Sequence, residues 1–164
     1  MALEIRTFGD PVLKSVATPV EGFDEALSRL AGEMLASMRE HEGVGLAATQ
    51  VGRLKRIFVA GLEDEEYAIV NPVIESRSEE TETDTEGCLS LPGVQVEVER
   101  PVGITVSGHD PEGNPTKIEA TGLFSRIIQH EIDHLDGITI LERTDRESRR
   151  EAMRGLRERM LAQR

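Results

Sequence analysis

The chain has 164 residues, a length that fits one compact domain with a substantial hydrophobic core, so we expect a single catalytic domain over residues 1–164. Its formal net charge of -12 argues against a protein that binds nucleic acid through a basic face, and we expect no DNA partner. Its single cysteine excludes an internal disulfide, and no apolar run is long enough to span a bilayer. These features predict a cytoplasmic protein with no membrane partner.

The first predicted element is an amphipathic helix. Apolar residues recur at helical spacing from Asp24 to about Glu40, and Asp24 is the expected N-cap. The helix leads into a segment that reads GVGLAATQ at residues 43–50, whose glycines permit a close approach of the backbone or unusual dihedral angles.

Strands dominate the middle of the sequence. Residues 56–60 and 67–74 are rich in Ile, Val and aromatic side chains, which predicts two strands joined by a turn over residues 61–66. Thr and acidic residues alternate over residues 78–85, as in an edge strand, and residues 94–99 alternate with period two, as in a further strand.

A hairpin and a buried helix follow. Residues 104–107 and 116–120 flank a turn signal at residues 110–114, which predicts an antiparallel hairpin. Residues 123–135 are apolar on more than one face, a pattern typical of a helix buried in the middle of a domain, and Gly137 is its expected stop.

The C-terminal segment predicts one more helix. Thr144 and Glu147 have the spacing of a capping box, so we expect the helix to begin at Thr144. Apolar residues recur at helical spacing among the arginines of residues 146–164, which favours a packed helix with a charged outer face over a nucleic-acid tail. The predicted fold class is α+β: antiparallel β-strands packed around the central helix, with an N-terminal and a C-terminal helix.

The central helix carries the sequence QHEIDH at residues 129–134. Because positions four residues apart lie on one face of a helix, His130 and His134 can reach a single metal ion. Glu131 projects beside that ion, where it can take a proton from a bound water. The motif predicts metal-assisted hydrolysis, although two histidines at this spacing can also be ordinary surface or core residues.

The sole cysteine strengthens the metal hypothesis. Cys88 lies in the segment EGCLSLPG at residues 86–93, and one thiolate with two imidazoles makes a three-ligand site. Such a site leaves a tetrahedral position open for water, whereas structural zinc sites are usually closed by four protein ligands. Without the flanking motif, a buried apolar role would be the better interpretation of a lone cysteine.

Three segments together resemble the peptide deformylases, whose motifs have the forms GxGLAAxQ, EGCLS and QHExDH. In this chain they read GVGLAATQ at residues 43–50, EGCLS at residues 86–90 and QHEIDH at residues 129–134, in the same order. The resemblance implies a metal-dependent hydrolase that removes the N-formyl group from the N-terminal formylmethionine of newly made polypeptides and releases formate. N-formylmethionyl nascent peptides are therefore the expected partners.

The resemblance also implies a metal site. Its ligands fall on Cys88, His130 and His134, and the general base and acid falls on Glu131. The implied cofactor is one divalent metal ion, Fe²⁺ in the cell, for which Zn²⁺, Ni²⁺ or Co²⁺ can substitute.

Further residues are expected to act on the substrate. The resemblance assigns the developing oxyanion to Gln50 and to the backbone N–H of Leu89, and it assigns docking of the substrate backbone to Gly45. Because methionine is long and flexible, its side chain should enter an apolar pocket, for which the candidates by position are Val44, Ile127, Leu89 and parts of the helix that carries His130.

Several nearby residues receive no firm role from the sequence. Glu86 and Arg100 can pair across the cysteine strand, and Asp133 can orient a neighbouring group, because outer partners commonly fix metal ligands. Arg126 either points away from the pocket or holds a chain terminus. Thr49 stands where many family members carry proline, a change we expect to be tolerated because neither side chain has a catalytic role.

Two other functions share part of this pattern. Metallopeptidases with an HExxH motif usually complete their site with a downstream His or Glu, whereas this chain offers the upstream Cys88. A metal-holding or ribosome-associated protein without activity would require neither Glu131 nor Gln50. We therefore interpret the chain as a deformylase, expected to be a monomer, with transient ribosome association through the Arg-rich residues 146–164 as a further hypothesis.

Overall fold

The structure, a computed structural model, describes residues 2–163, and within them it forms seven strands and four α-helices. The strands are β1 (Gly45–Ala47), β2 (Ile57–Leu62), β3 (Glu65–Arg77), β4 (Thr81–Cys88), β5 (Leu91–Pro101), β6 (Gly103–His109) and β7 (Pro115–Thr121). The helices are α1 (Glu25–Glu40), α2 (Gly122–Leu135), α3 (Ile140–Arg143) and α4 (Arg146–Ala162).

Two antiparallel sheets contain these strands. The larger sheet has the order β1-β2-β3-β6-β7, and the smaller one is the β4-β5 hairpin. β2 and β3 are joined by a turn at Glu63 and Asp64, both with positive φ, of 51° and 67°. Positive φ at two central residues gives the backbone twist that a tight hairpin needs, so the connection is shorter than the predicted turn over residues 61–66.

The larger sheet lies between two helices. Because successive side chains of a strand point to opposite faces, β2 places Ile57 and Val59 against α1 but Phe58 and Ala60 against α2. The predicted N-cap of α1 is confirmed, since the Asp24 side chain accepts a hydrogen bond from a backbone N–H of the first turn.

Helix α2 is the centre of the fold, as predicted. Ten of its fourteen residues are buried, because the sheet covers one side and β5 contacts another. The helix is followed by Gly137, whose φ of 75° is the left-handed conformation that commonly ends a helix. The candidate functional side chains of α2, His130, Glu131 and His134, therefore lie on a rigid, enclosed helix.

The C-terminal helix begins later than predicted. Its N-cap is Asp145, whose side chain accepts the N–H of Ser148, so the prediction of a start at Thr144 is wrong. A capping box does occur one helix earlier, where Thr139 and Glu142 begin the short α3. Asp145 and Ser148 have the same spacing as the predicted pair, Thr144 and Glu147, but lie one residue later. The side-chain carboxylate of Asp145 is the group that caps the helix.

The observed architecture is α+β, as predicted. A third core joins β5 to α3 and α4, with Leu91 and Val98 packed against Ile140 and Leu156. Through this core, the β4-β5 hairpin packs against the C-terminal helices α3 and α4. Over residues 2–163, no helix is both long and apolar enough to cross a membrane.

Candidate active site

Two separate parts of the fold bring three metal-binding side chains together. Cys88 is the last residue of β4, whereas His130 and His134 lie on consecutive turns of α2. One ligand atom from each lies within 4.8 Å of the other two. The Cys88 Sγ is 3.3 Å from the His134 Nε2, and the two histidine Nε2 atoms are 3.2 Å apart.

These separations fit a single tetrahedral ion. With metal–nitrogen bonds of about 2.0–2.1 Å and a metal–sulfur bond of about 2.3 Å, the edges of the tetrahedron are about 3.3 Å between nitrogens and about 3.5 Å between nitrogen and sulfur. The observed distances of 3.2 and 3.3 Å are close to both values. A thiolate and two imidazoles also suit a divalent transition metal, so the group can hold one.

The two histidines are held differently. His130 Nδ1 lies 2.9 Å from a Glu86 carboxylate oxygen, so we assign its proton to Nδ1, and Nε2 then presents a lone pair to the site. Burial lowers the pKa of His134 well below its usual range, helped by the charges of His130 and Arg100. His134 is consequently neutral, which is the form that binds a metal.

The surroundings of His130 are negative. Burial lowers its pKa, but the charge of Glu131 and the hydrogen bonds that the His130 ring donates to Cys88 and Glu86 outweigh burial and hold the pKa well above its usual range. The same negative groups that favour the protonated form of His130 also attract a divalent cation. To bind His130, that cation must displace the proton from the ring.

Behind His130 lies a buried ion-pair network. The Arg100 guanidinium donates two hydrogen bonds to the Glu86 carboxylate, at 2.6 and 3.0 Å, so these residues form the pair suggested by the sequence. Arg100 also contacts Asp133 at 2.9 Å, and Asp133 contacts Arg143 at 2.8 and 3.0 Å. Burial raises the pKa of Glu86, but hydrogen bonds from His130 and Arg100 outweigh it and hold the pKa at about 2.

Arg126 belongs to this network rather than to solvent. Its guanidinium donates to Glu86 Oε2 at 2.6 Å and to the backbone carbonyls of Val98 and Glu82 at 2.8 and 2.7 Å. These contacts join α2 to the β4-β5 hairpin.

Glu131 is buried beside the metal-binding group. Its Oε1 has no hydrogen-bond partner among residues 2–163. Burial raises the pKa of Glu131 to about 7, against the opposing charge of His130. A carboxyl group with a pKa near neutrality is suited to accept a proton and return it.

Gln50 is fixed at both ends of its amide. Its Oε1 accepts the N–H of Ala47 at 2.9 Å, while its Nε2 donates to Ser90 Oγ at 3.1 Å and faces Cys88 Sγ at 3.6 Å. This arrangement leaves the amide N–H₂ next to the metal-binding group. It gives Gln50 the geometry of a preorganised donor.

A cavity of about 600 Å³ opens onto these groups. Eight of the nine site residues expected from the sequence line it, and His134 lies fully buried beneath them. The eight are Val44, Gly45, Gln50, Cys88, Leu89, Ile127, His130 and Glu131.

The structure adds two residues that the sequence did not suggest. Leu123 lines the cavity with its side chain 58% exposed; its spacing of four residues from Ile127 on α2 was the available signal. Thr49 is fully buried and donates its hydroxyl to the backbone carbonyl of His134 at 3.1 Å. No local pattern signals that contact, because 85 residues separate the partners.

Comparison with known proteins identifies the family. The family model described as polypeptide deformylase matches residues 2–150. A peptide deformylase of Natranaerobius thermophilus is 50% identical over 149 residues, which cover 90% of this chain and 96% of the relative. Peptide deformylase 1 of Corynebacterium glutamicum is 48% identical over 154 residues, which cover 92% of this chain and 91% of the relative.

A solved structure agrees with these relatives. The crystal structure of a peptide deformylase from Legionella pneumophila matches with a TM-score of 0.94 at 36% identity, covering 99% of this chain and 98% of that chain. Since sequence and fold both match nearly from end to end, the chain belongs to the polypeptide deformylase family of metal-dependent hydrolases, which remove the formyl group from new polypeptides.

Proposed function

We propose that Cys88, His130 and His134 hold the divalent ion with which this deformylase hydrolyses the formyl amide of an N-terminal formylmethionine. The main support is that their donor atoms lie within 4.8 Å of one another at the cavity that contains Glu131. A bound divalent ion would act as a Lewis acid and would lower the pKa of a coordinated water towards neutrality. No fourth protein ligand is needed, which leaves room for water and substrate.

Glu131 is proposed as the general base and acid. Its Oε1 is unpartnered within residues 2–163, and its pKa of about 7 allows it to accept the proton of the attacking water. The same carboxyl group then returns the proton to the departing amine, as the bond between the formyl carbon and the nitrogen breaks. Formate and a free amino terminus are the products.

Gln50 and the backbone N–H of Leu89 are proposed to stabilise the oxyanion. Negative charge grows on the formyl oxygen as its carbon becomes tetrahedral, and fixed donors stabilise that charge without reorganising. The Gln50 amide is fixed by Ala47 and Ser90, and Leu89 directly follows Cys88 on the cavity wall.

Substrate binding is proposed at β1 and the start of α2. β1 is an edge strand of the larger sheet, so the backbone near Gly45 can pair with an extended peptide. Val44 and Ile127 line the same cavity with apolar surface for the methionine side chain, joined by Leu123.

The remaining proposals concern the cellular setting. Fe²⁺ is proposed as the ion in the cell, with Zn²⁺, Ni²⁺ or Co²⁺ able to substitute, since thiolate and imidazole suit each of them. A thiolate ligand requires reducing conditions, which supports a cytoplasmic location, and we propose a monomer. The exposed arginines of α4 are proposed to allow transient ribosome docking within an otherwise acidic protein.

One assay tests the substrate and the chemistry together. Protein purified without oxygen and loaded with Fe²⁺ or Ni²⁺ should release formate rapidly from a formyl-methionyl tripeptide, and chelation should stop the release. Folded, metal-loaded protein that releases no formate would reject the formylmethionine substrate. Ribosome docking is tested separately: replacing the exposed Arg150, Arg154 and Arg157 of α4 by Gln, which leaves the buried Leu156 in place, should abolish co-sedimentation with ribosomes, and unchanged co-sedimentation would reject the docking site.

A further inference from the structure

We infer that Arg126 is a positioning residue that fixes the β4-β5 hairpin against α2, and that it thereby holds the Cys88 thiolate at metal-binding distance from the two histidines. The inference rests on the proposed ligand role of Cys88, His130 and His134. A metal site needs its ligands held within a fraction of an ångström, so the position of the hairpin would determine how firmly the ion is retained.

The thiolate and the imidazoles belong to different units of the fold. Cys88 ends β4, whose strand pairing is with β5, and a register shift separates Gly87 from Cys88 in that pairing. His130 and His134 belong to α2, which packs on the larger sheet. Within residues 2–163, no backbone hydrogen bond joins α2 to β4 or β5, so their relative position depends on side chains.

Apart from the contact between His134 and Cys88 at the proposed metal site itself, four side chains of α2 make that connection. His130 bonds to Glu86, Asp133 to Arg100, and Gln129 donates to the carbonyl of Pro101 at 3.0 Å. Arg126 makes three hydrogen bonds, to Glu86, Val98 and Glu82, more than any of the others makes to the hairpin.

The contacts of Arg126 are suited to positioning. They reach β4 at Glu82 and Glu86 and β5 at Val98, so one planar guanidinium holds both strands. Two of the acceptors are backbone carbonyls, which cannot turn away by a change of rotamer. Arg126 also lies one turn before His130, on the face of α2 that faces the hairpin, and its side chain is 11% exposed.

Arg126 can be removed without undoing the orientation of His130. Arg100 still pairs with Glu86 through two hydrogen bonds, and Glu86 still accepts from His130 Nδ1. The charge on Glu86 therefore keeps a buried partner. Removal of Arg126 breaks the hydrogen bonds from α2 to the backbone carbonyls of Val98 and Glu82. We attribute retention of the metal ion to these hydrogen bonds.

The test compares metal release from Arg126→Met, Arg126→Lys and wild type. Loss of an outer partner of a metal ligand typically costs about 10-fold to 100-fold in metal affinity. We expect release of Co²⁺ to an excess of chelator to accelerate by about that factor in Arg126→Met and by less in Arg126→Lys, which keeps the charge for Glu86. The thiolate-to-cobalt charge-transfer absorption should weaken in the same order.

Arg56→Met is the matched control. Arg56 also binds α2, through the carbonyl of Leu135 at 3.1 Å and through Asp136 at 2.9 Å, and its side chain is 17% exposed. Its contacts lie at the far end of the helix and do not touch the hairpin. Arg56→Met should lower the thermal midpoint while releasing Co²⁺ at the wild-type rate.

The outcomes separate the inference from the proposed function. Release from Arg126→Met at the wild-type rate, or no faster than from Arg56→Met, would overturn the positioning role. If Arg126→Met does not fold, Arg126→Lys decides by the same comparison. Wild-type protein that binds Co²⁺ without a thiolate absorption would instead overturn the proposed ligand set.

Discussion

Gly45 and Glu131 are in direct contact across the active-site cavity. A β-carbon placed on Gly45 would overlap a carboxylate oxygen of Glu131, and it would lie 2.9 Å from Cδ and 3.0 Å from Cγ. Real β-carbons do not approach heavy atoms so closely, so the Glu131 side chain would have to move into the cavity that it lines. The absence of a side chain at position 45 therefore determines where the carboxylate lies.

Gly45→Ala should displace the carboxylate while leaving the metal-binding group intact. We expect kcat to fall by about 100-fold, which is the lower end of the contribution of general acid–base catalysis. Bound metal per chain should remain at the wild-type level. Steady-state kinetics with metal analysis checks both, and an alanine variant with wild-type kcat would show that Glu131 tolerates the shift.

Glu131→Gln should retain the metal and lose at least about 100-fold in turnover, since the amide cannot accept the proton of the attacking water. Formate release and bound metal are measured on the same sample. Near wild-type turnover in this variant would falsify the acid–base role.

Cys88→Ala is the complementary variant for the ligand assignment. It removes one of the three donors, so we expect the ion to be lost on dialysis while the fold survives. A variant that kept one metal per chain after dialysis would contradict the assignment of Cys88 as a ligand.

Thr49→Val should destabilise the chain because the hydroxyl that donates to the carbonyl of His134 is fully buried. The carbonyl of His134 keeps the backbone N–H of Gly137 as a second donor at 3.1 Å, so the expected loss is that of one hydrogen bond, about 0.5–1.5 kcal/mol. Urea unfolding of the two proteins under identical metal loading measures the difference. Thr49→Ser, which keeps the hydroxyl, should lose less, and equal losses for serine and valine would assign the effect to packing instead.

Glu86 should make the stability of the fold sensitive to acid. Burial raises its pKa, but hydrogen bonds from His130 and Arg100 lower it from 4.5 to about 2 in the folded chain. Because the folded pKa is the lower one, this contribution is fully present above pH 4.5 and is lost as the pH falls towards about 2. A difference of that size corresponds to about 3 kcal/mol.

The comparison is with Glu86→Gln, which cannot ionise. Unfolding free energies measured with chelator present, from neutral pH down to about pH 3, should show the wild-type advantage shrinking only below about pH 4.5. An advantage that stays constant over this range would exclude a depressed pKa at Glu86.

The sequence was most informative where a role depends on residue type and short spacing. The pair His130 and His134 follows from helical geometry, and the cap at Asp24 follows from a local hydrogen bond. Local spacing was misleading at Thr144, because the same interval recurs one residue later with a better capping group, Asp145.

Contacts between distant segments were beyond such reasoning. Thr49 reaches His134 across 85 residues, and Arg126 reaches Glu86 across 40, so neither partner is visible in any local pattern. Both pairs depend on how the hairpin, the larger sheet and α2 pack together, which the sequence predicted only as a fold class.

The division of the proposed ligands between β4 and α2 would link metal binding to folding. An ion that requires Cys88 together with His130 and His134 can bind only a chain whose hairpin has already docked on the helix. It therefore adds to the stability of the docked state alone, by about 1.4 kcal/mol for each tenfold excess of free ion over its dissociation constant. Amide protons of β4 should consequently exchange with solvent more slowly as free metal rises, while those of the β2-β3 hairpin, which carries none of the proposed ligands, should respond only through global unfolding.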